Sequence, residues 1–172
     1  MAEIRPVRYD PKTRNLYVFE IPGIPPFAIV NGKRPSWSFD EQELHVFNGK
    51  VPYPGKRTID TMDITINDVI DRTIVQELWN WSKQVYDPET GQRGYRFEYV
   101  RNITLTILGY KGEELEVWLL EECYPQSIQG GDLDMSSTEP LQITITLKIT
   151  NVRLLRANGV SVGVGGGTSI IV

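Results

Sequence analysis

The chain has 172 residues, of which 18 are basic and 22 acidic, so its formal net charge at pH 7 is -4. This length predicts one domain with a sizeable core, and the acidic balance argues against a protein that binds nucleic acid by neutralising phosphates. The chain contains four Trp, eight Tyr and five Phe, an aromatic content that argues against an intrinsically disordered protein.

The sequence also indicates the compartment in which the protein is made. The single cysteine, Cys123, excludes an intrachain disulfide framework and fits a reducing compartment. No apolar run approaches the roughly 20 residues that span a bilayer, and the first residues lack the apolar core of a signal peptide. We therefore expect a soluble protein that is made in the cytoplasm and has no membrane partner.

The first third of the chain reads as an arm followed by extended segments. Residues 1–15 are polar and contain two prolines, which predicts an N-terminal arm. Alternating or β-forming runs predict strands at 16–21, 27–30, 36–47 and 58–66. Between the last two, Asn48 to Arg57 contains two Gly and two Pro and is predicted to be a loop.

One segment has apolar residues at helical spacing, and it predicts a helix over 68–86. Its stripe consists of Ile70, Ile74, Leu78, Trp81 and Val85, with Val75 and Trp79 beside it. Asp68 is a suitable N-cap, and Asp87 precedes a proline, which disfavours helix. We expect Ile70, Ile74, Leu78 and Trp81 to form the core side of this helix.

The remaining chain alternates as strands do. Strands are predicted at 95–107 and 115–120, the second ending at 121–125, and the clearest alternation runs from Leu141 to Thr150. In the middle strand, Leu115, Val117 and Leu119 share one face, opposite Glu114 and Glu116. The pattern predicts a mainly β fold, an antiparallel β-sandwich or barrel with one flanking amphipathic α-helix.

The composition changes after residue 156, which divides the chain into a β domain at 1–156 and a Gly-rich tail at 157–172. The thirteen residues 157–169 include five glycines, and three β-branched residues follow, Ile170, Ile171 and Val172. Gly-rich chain loses much entropy when it is ordered. Our hypothesis is that these three residues contact a neighbouring subunit by strand addition, and a disordered end of no consequence is the alternative.

No residue pattern predicts catalysis or a bound cofactor. His45 is the only histidine, so a metal site would need carboxylates alone, and no nucleophile elbow surrounds it. We interpret His45 as a surface or subunit-contact residue. Cys123 has acidic neighbours that disfavour its thiolate and is interpreted as a small core residue. The sequence predicts no enzyme and no catalytic, cofactor-binding or metal-binding residue.

Two groups of acidic residues invite a functional interpretation. Asp132 and Asp134 follow two glycines, as in a calcium loop, but the further acidic ligands are missing, so turn-forming aspartates are the better interpretation. A second group could supply the carboxylate pair of a glycoside hydrolase, although charges around a strand usually mark a solvated edge. Its members are Glu113, Glu114, Glu116, Glu121 and Glu122.

The order of the elements resembles a known family. Gly55 to Trp81 contains a Gly-Lys-Arg entry to a strand, an Asn-Asp pair and a helix that ends in aromatic residues. A Tyr-Pro step at Tyr124, a Leu-Asp pair at Leu133 and the alternating strand 141–150 follow. This pattern resembles the T4-like tail tube proteins of contractile-tailed bacteriophages. The resemblance covers roughly residues 16 to 155 and leaves out the arm and the Gly-rich tail.

The resemblance implies a β-sandwich subunit that forms hexameric rings, which stack into the inner tail tube and conduct DNA during ejection. Implied partners are further copies of the chain and the sheath, baseplate and tail-terminator proteins; DNA and tape-measure protein pass through the lumen without specific binding. The implied location is the virion tail, after assembly in the host cytoplasm.

The family's hairpin at the position of Asn48 to Arg57 reaches the adjacent ring. We therefore expect this segment to become ordered only in the assembly, with stacking contacts from Lys50, Tyr53, Lys56 and Arg57.

Alternatives remain open within and outside this family. The Gly-rich tail is compatible with a baseplate-proximal tube initiator, and the architecture is related to the inner tubes of type VI secretion and other contractile injection systems. A different class is a β-sandwich module that binds a ligand or partner through residues 48–57 and the tail. A hydrolase that uses the glutamates of residues 113–122 is the third hypothesis.

Overall fold

The computed structural model describes residues 10–70, 73–158 and 160–162. It confirms a mainly antiparallel β fold with one flanking amphipathic helix, to which a one-turn helix is added. The strands are β1 (Tyr17–Glu20), β2 (Ile29–Asn31), β3 (Trp37–Val46), β4 (Gly49–Ile59), β5 (Met62–Asn67), β6 (Arg101–Leu108), β7 (Glu114–Gly130), β8 (Gln142–Lys148), β9 (Asn151–Ala157) and β10 (Val160–Ser161). The helices are α1 (Ile74–Val85) and α2 (Arg96–Tyr99), and a 3₁₀ turn at Pro26–Ala28 replaces the first part of the strand predicted at 27–30.

The 17-residue strand β7 belongs to two sheets. Its whole length pairs antiparallel with β8 and then β9, from Gly130 opposite Ile143 to Glu116 opposite Ala157. The first half of β7 also pairs with β6, which pairs with β1. Beyond β8 lie β5 and then β2. Two sheets, β1-β6-β7-β9-β10 and β7-β8-β5-β2, therefore curl around one core.

A bend at Glu122 separates the two halves of β7. Glu122 has a φ of 53°, in the left-handed region, and its backbone N–H donates to the side-chain oxygen of Asn102 at 3.0 Å. The Arg96 guanidinium donates to the Glu122 carboxylate at 2.6 Å and to the Thr150 hydroxyl at 2.7 Å. The prediction that this strand ends at 121–125 is wrong, because the chain bends there and continues in the second sheet.

The inward faces of these strands form the core. On β8 the predicted alternation is confirmed, with Ile143, Ile145 and Leu147 buried. In the first half of β7 the inward residues include Glu116 and Leu120, both buried, so the apolar parity of Leu115, Val117 and Leu119 faces outward. The alternation did not predict that the charged residue Glu116 points inward.

Helix α1 is shorter than predicted, but its core side is as expected. Ile74, Leu78 and Trp81 are 1%, 2% and 0% exposed. The prediction for Ile70 is wrong, because this residue precedes the helix and is fully exposed. The backbone N–H of Asp68 donates to the Leu141 carbonyl at 2.9 Å. This bond extends the β5–β8 ladder, so Asp68 is not the N-cap, a position that Thr73 occupies.

Trp81 joins α1 to the start of β6. Its indole N–H donates to the Tyr99 carbonyl at 2.6 Å, and the Arg101 guanidinium lies 4.6 Å from the centre of its ring. Residues 95–100 were predicted as part of a strand and instead form the turn of α2. The Glu98 carboxylate accepts the Tyr95 backbone N–H at 2.8 Å, a capping contact that favours helix, so the strand begins only at Arg101.

The segment predicted as a loop at 48–57 forms most of β4. It pairs with β3 around a turn at Phe47 and Asn48, from Val46 opposite Gly49 to Trp37 opposite Ile59. The prediction of a loop is wrong, and the single strand predicted at 58–66 is two strands separated at residues 60–61.

The chain continues in strand conformation beyond residue 150. Strand β9 was not predicted and crosses the proposed domain boundary at 156/157, and Val160 in β10 pairs back with Ala157. The division of the chain into a β domain at 1–156 and a tail at 157–172 stays a prediction. Ile170, Ile171 and Val172 lie outside the described residues. No helix in the described ranges is long and apolar enough to cross a membrane.

Replacing Leu78 by Ala should lower the free energy of unfolding by about 2–5 kcal/mol, because the change leaves a cavity beneath α1. Val75, which is 53% exposed on the same helix, is the matched control, and Val75→Ala should change stability by less than about 0.5 kcal/mol. Urea unfolding of the monomer measures both. Equal losses would contradict the assignment of the buried face.

Candidate assembly surfaces

The β3–β4 hairpin extends from the sheets with little support. At its root the rings of Trp37 and Trp118 are 5.9 Å apart, and the Arg57 guanidinium lies 5.0 Å from the Trp37 ring. From residue 38 to residue 54 every side chain is exposed. A two-stranded hairpin is marginally stable alone, so this segment is suited to packing against another molecule.

The distal half of the hairpin has one apolar and one polar face. Leu44 is opposite Val51, and Gln42 is opposite Tyr53, so these pairs share a face. The exposed apolar residues of this region, which we call the hairpin tip, are Leu44 58%, Val46 48%, Phe47 108%, Val51 52% and Tyr53 48%. The other face carries His45 and Lys50, and the Lys50 ammonium lies 2.6 Å from the Glu43 carboxylate.

The four hairpin residues expected to make stacking contacts do not form one cluster. Tyr53 lies on the apolar face, Lys50 lies on the polar face, and Arg57 packs on Trp37 at the root. Lys56 is exposed in a β-bulge between the root and the distal half of the hairpin, where the register of β3 and β4 shifts. Four further residues of this surface were not predicted, namely Leu44, Val46, Phe47 and Val51, although the spacing of Leu44 and Val46 around His45 indicates an apolar face.

The sheet β7-β8-β5-β2 has two open edges within the described residues. The second half of β7, Gln126–Gly130, pairs with β8 on one side, and its ladder with β6 stops at Cys123. At the other edge, β2 is a three-residue strand that pairs with β5, and of its backbone groups the Val30 carbonyl already accepts the Tyr17 hydroxyl at 2.7 Å. Exposed edges offer free backbone groups to another chain.

The outward face of this sheet is polar and carries few charges. It presents hydroxyl and amide side chains, namely Thr65, Asn67, Ser127, Gln129, Gln142, Thr144 and Thr146. Asp63 also lies on it, where it accepts a hydrogen bond from Thr146 at 2.8 Å and lies 3.6 Å from the Lys33 ammonium. The face can therefore contact water or a passing molecule without exerting a strong electrostatic attraction on it.

Glu116 is the carboxylate that the strand places inward. It binds Lys12, lies 3.4 Å from Arg34 and accepts the Trp118 indole N–H at 3.0 Å. Burial alone would raise its pKa, but these hydrogen bonds and the nearby cations hold the pKa of Glu116 below its usual value. A glycosidase acid needs a raised pKa, so this carboxylate does not fit that role.

The other glutamates of the strand have local partners. Glu114, Glu121 and Glu122 pair with Arg156 at 2.7 Å, Arg153 at 2.9 Å and Arg96 at 2.6 Å. The Glu113 carboxylate accepts the Lys111 backbone N–H at 2.9 Å. These contacts tie neighbouring strands and turns together and give the acidic run a structural role.

Cys123 and Asp134 have the structural roles that the sequence predicted. Burial raises the pKa of the Cys123 thiol to about 12, which keeps it protonated, and the residue is part of the core. The Asp134 carboxylate accepts the Ser136 N–H at 2.9 Å and lowers its own pKa through this bond, as a turn residue does. Within the described ranges, no three His, Cys, Asp or Glu side chains are placed to hold a metal ion.

Replacing Glu116 by Gln should lower the free energy of unfolding by about 1–3 kcal/mol at neutral pH, because Lys12 and Arg34 lose a charged partner. The lowered pKa means that this contribution is present above the unfolded-state pKa and is lost as the pH falls through the folded value. The difference from the parent protein should therefore shrink between about pH 5 and pH 3.

The control is Glu114→Gln, which removes an exposed ion pair and should cost less than about 1 kcal/mol. Urea unfolding at a series of pH values measures all three proteins. A pH-independent loss for Glu116→Gln would contradict the role given to its charge.

Comparison with known proteins identifies the family. Residues 45–153 match the model of the T4-like virus tail tube protein gp19 family. The tail tube protein of Serratia phage KSP90 is 24% identical over 91 residues, which are 52% of this chain and 51% of that protein. The matched region thus spans about half the length of this relative.

Solved structures of the same fold come from contractile assemblies. The anti-feeding prophage cap, a tube-terminating cap, has a TM-score of 0.72 at 18% identity and covers 91% of this chain and 97% of its own. The PVC sheath/tube terminator of an extracellular contractile injection system has a TM-score of 0.69 at 18% identity, covering 86% and 98%. The PVC sheath-tube complex gives 0.63 at 18% identity, covering 88% and 95%.

The matched residues include β4, β5, α1, α2, β6, β7 and β8 and are more than half of the chain. The chain therefore belongs to the T4-like virus tail tube protein gp19 family.

Proposed function

We propose that this chain is a structural subunit whose copies form hexameric rings that stack into the inner tail tube, the conduit for DNA ejection. The observation that carries this proposal is the sheet β7-β8-β5-β2 with its two open edges. The edge at Gln126–Gly130 and the edge at Ile29–Asn31 lie on opposite sides of one sheet. Joining unlike edges of successive copies is a heterologous contact, which closes into a ring when the rotation permits.

The polar face of this sheet would line the lumen. Hydroxyl and amide groups give a passing DNA or tape-measure protein no cluster of cations to bind. The formal charge of -4 per subunit, repeated around a ring, repels phosphate. A wall of this kind lets a nucleic acid pass without holding it.

The hairpin would supply the contacts between rings. Ten residues of β3 reach roughly 30 Å from the root, far enough to leave the subunit body. The tip exposes five large apolar residues, which are costly to leave in water. Further partners would be the sheath, baseplate and tail-terminator proteins, and the protein would be located in the virion tail after assembly in the host cytoplasm.

Electron microscopy of the purified full-length protein tests this proposal. Stacked rings with a central channel are the expected result. Single rings that do not extend would favour a tube-terminating or baseplate-proximal subunit, a role that the names of the relatives with caps and terminators suggest. A monodisperse monomer would contradict the proposal and favour a binding module.

Shortening the hairpin should separate ring formation from stacking. We would replace Glu43 to Pro52 by Asn-Gly, because Gln42 and Tyr53 are directly opposite and this dipeptide favours a two-residue hairpin turn. Rings should still form and the melting temperature should stay within about 4 °C of the parent value, but tubes should be absent. The control is Phe97→Ser, which removes an exposed aromatic residue from α2. Normal tubes from the shortened protein would contradict the stacking role.

The Gly-rich tail is proposed to add backbone hydrogen bonds to a neighbouring subunit. A truncation after Val162 keeps β9 and β10 intact and removes Ile170, Ile171 and Val172. Assembly should then require a higher protein concentration, and the assembled particles should melt at a lower temperature. Unchanged values, measured by light scattering and calorimetry, would show that the tail holds no subunits together.

A further inference from the structure

An apolar groove runs between α1 and the end of the β7–β8 ladder. Its volume is about 550 Å³, and its walls come from α1, the end of β7 and the start of β8. Five apolar residues along it are exposed, namely Val75 53%, Trp79 55%, Ile128 37%, Leu133 86% and Leu141 38%. Exposed apolar patches that include a tryptophan are typical of protein contacts.

The groove and the hairpin lie at opposite ends of the β5–β8 ladder. At one end the Lys148 ammonium contacts the Ile59 carbonyl at 3.5 Å, where the hairpin joins β5. At the other end the Asp68 N–H donates to the Leu141 carbonyl, beside the groove. A projection at one end and a receptor at the other end are the two halves of a head-to-tail contact.

The two surfaces match in size. Each presents five large apolar side chains, and together these expose on the order of 1,200 Å², the lower end of the area that specific protein contacts bury. Charge does not add to this match, because the Lys50 ammonium already pairs with the Glu43 carboxylate at 2.6 Å. The positions of the two surfaces at opposite ends of the ladder and their similar size make a neighbouring copy a suitable occupant.

We propose that the groove between α1 and the β7–β8 ladder receives the apolar hairpin tip of a second copy of this chain. This inference rests on the proposed function, in which the hairpin links successive rings, and it names the receiving surface. Phe47 at the turn packs against Val75 and Trp79 of the next copy.

Cysteine cross-linking tests the inference directly. One preparation carries Phe47→Cys and a second carries Gln76→Cys, which is exposed on α1 beside the groove; the two are mixed before assembly. Cys123 is buried and provides a low background. A short bifunctional maleimide should link the two variants into covalent dimers. The control replaces Gln76→Cys by Lys111→Cys, at the exposed β6–β7 turn, and should give no dimer.

The outcomes separate this inference from the proposed function. Tubes without a cross-link between positions 47 and 76 overturn the inference and leave the proposed function standing. A cross-link from Ile171→Cys to Gln76→Cys, with none from Phe47→Cys, overturns it in favour of the tail as occupant. If neither rings nor tubes form, both the proposed function and this inference fail.

Replacing Trp79 by Ser provides an independent measurement. Because this side chain is half exposed, the monomer should keep its melting temperature, whereas the protein concentration needed for stacking should rise at least about tenfold. Phe97→Ser is the matched control for removal of an exposed aromatic residue and should leave stacking unchanged. Unchanged stacking of Trp79→Ser would overturn the inference.

Discussion

The antiparallel pairing of β7 with β8 and β9 is the constraint on which the rest of the fold depends. One 17-residue strand follows one continuous partner, so the two sheets cannot move independently. The bend at Glu122, held by Arg96 and Asn102, determines how the sheets curl. Strand β6 pairs only with the first half of β7. The second half therefore has β8 as its one partner, which leaves an open edge at Gln126–Gly130.

The exposed surfaces have a common physical origin in this arrangement. The core is filled from the inward faces, with α1 closing it through Trp81. The hairpin has little to pack against on its own subunit, and α1 leaves Trp79 uncovered. The described part of the chain therefore exposes an open sheet edge, a hairpin and one face of α1, which are surfaces of the kind that protein–protein contacts cover.

The sequence predicted those elements whose burial follows a simple period. Ile143, Ile145 and Leu147 alternate cleanly, and Leu78 and Trp81 repeat at helical spacing, so strand and helix were identified correctly. Ile70 fits the helical period, yet it lies outside α1. The backbone hydrogen bond from Asp68 to Leu141 extends the sheet to residue 68, so the helix begins later than the period predicts. Such a contact joins residues far apart in sequence and has no local signal.

Proline caused two further errors. Pro52, Pro54 and Pro125 suggested a loop and a strand end, but they occur in strands with an unpaired side, where a missing N–H costs little. Edge position depends on topology and could not be deduced from local composition. The family resemblance predicted that the hairpin makes contacts, which stays a prediction, whereas its apolar face and the groove were not predicted.

Amide hydrogen exchange at Gln126–Gly130 tests the central claim most directly, because these backbone groups form the open edge. Those N–H groups that do not bond to β8 should exchange rapidly in the monomer. They should exchange slowly in assembled particles, because the carbonyl oxygens of a neighbouring strand would then accept hydrogen bonds from them. Fast exchange of the same amides in assembled rings would show that this edge stays unpaired and would contradict the account.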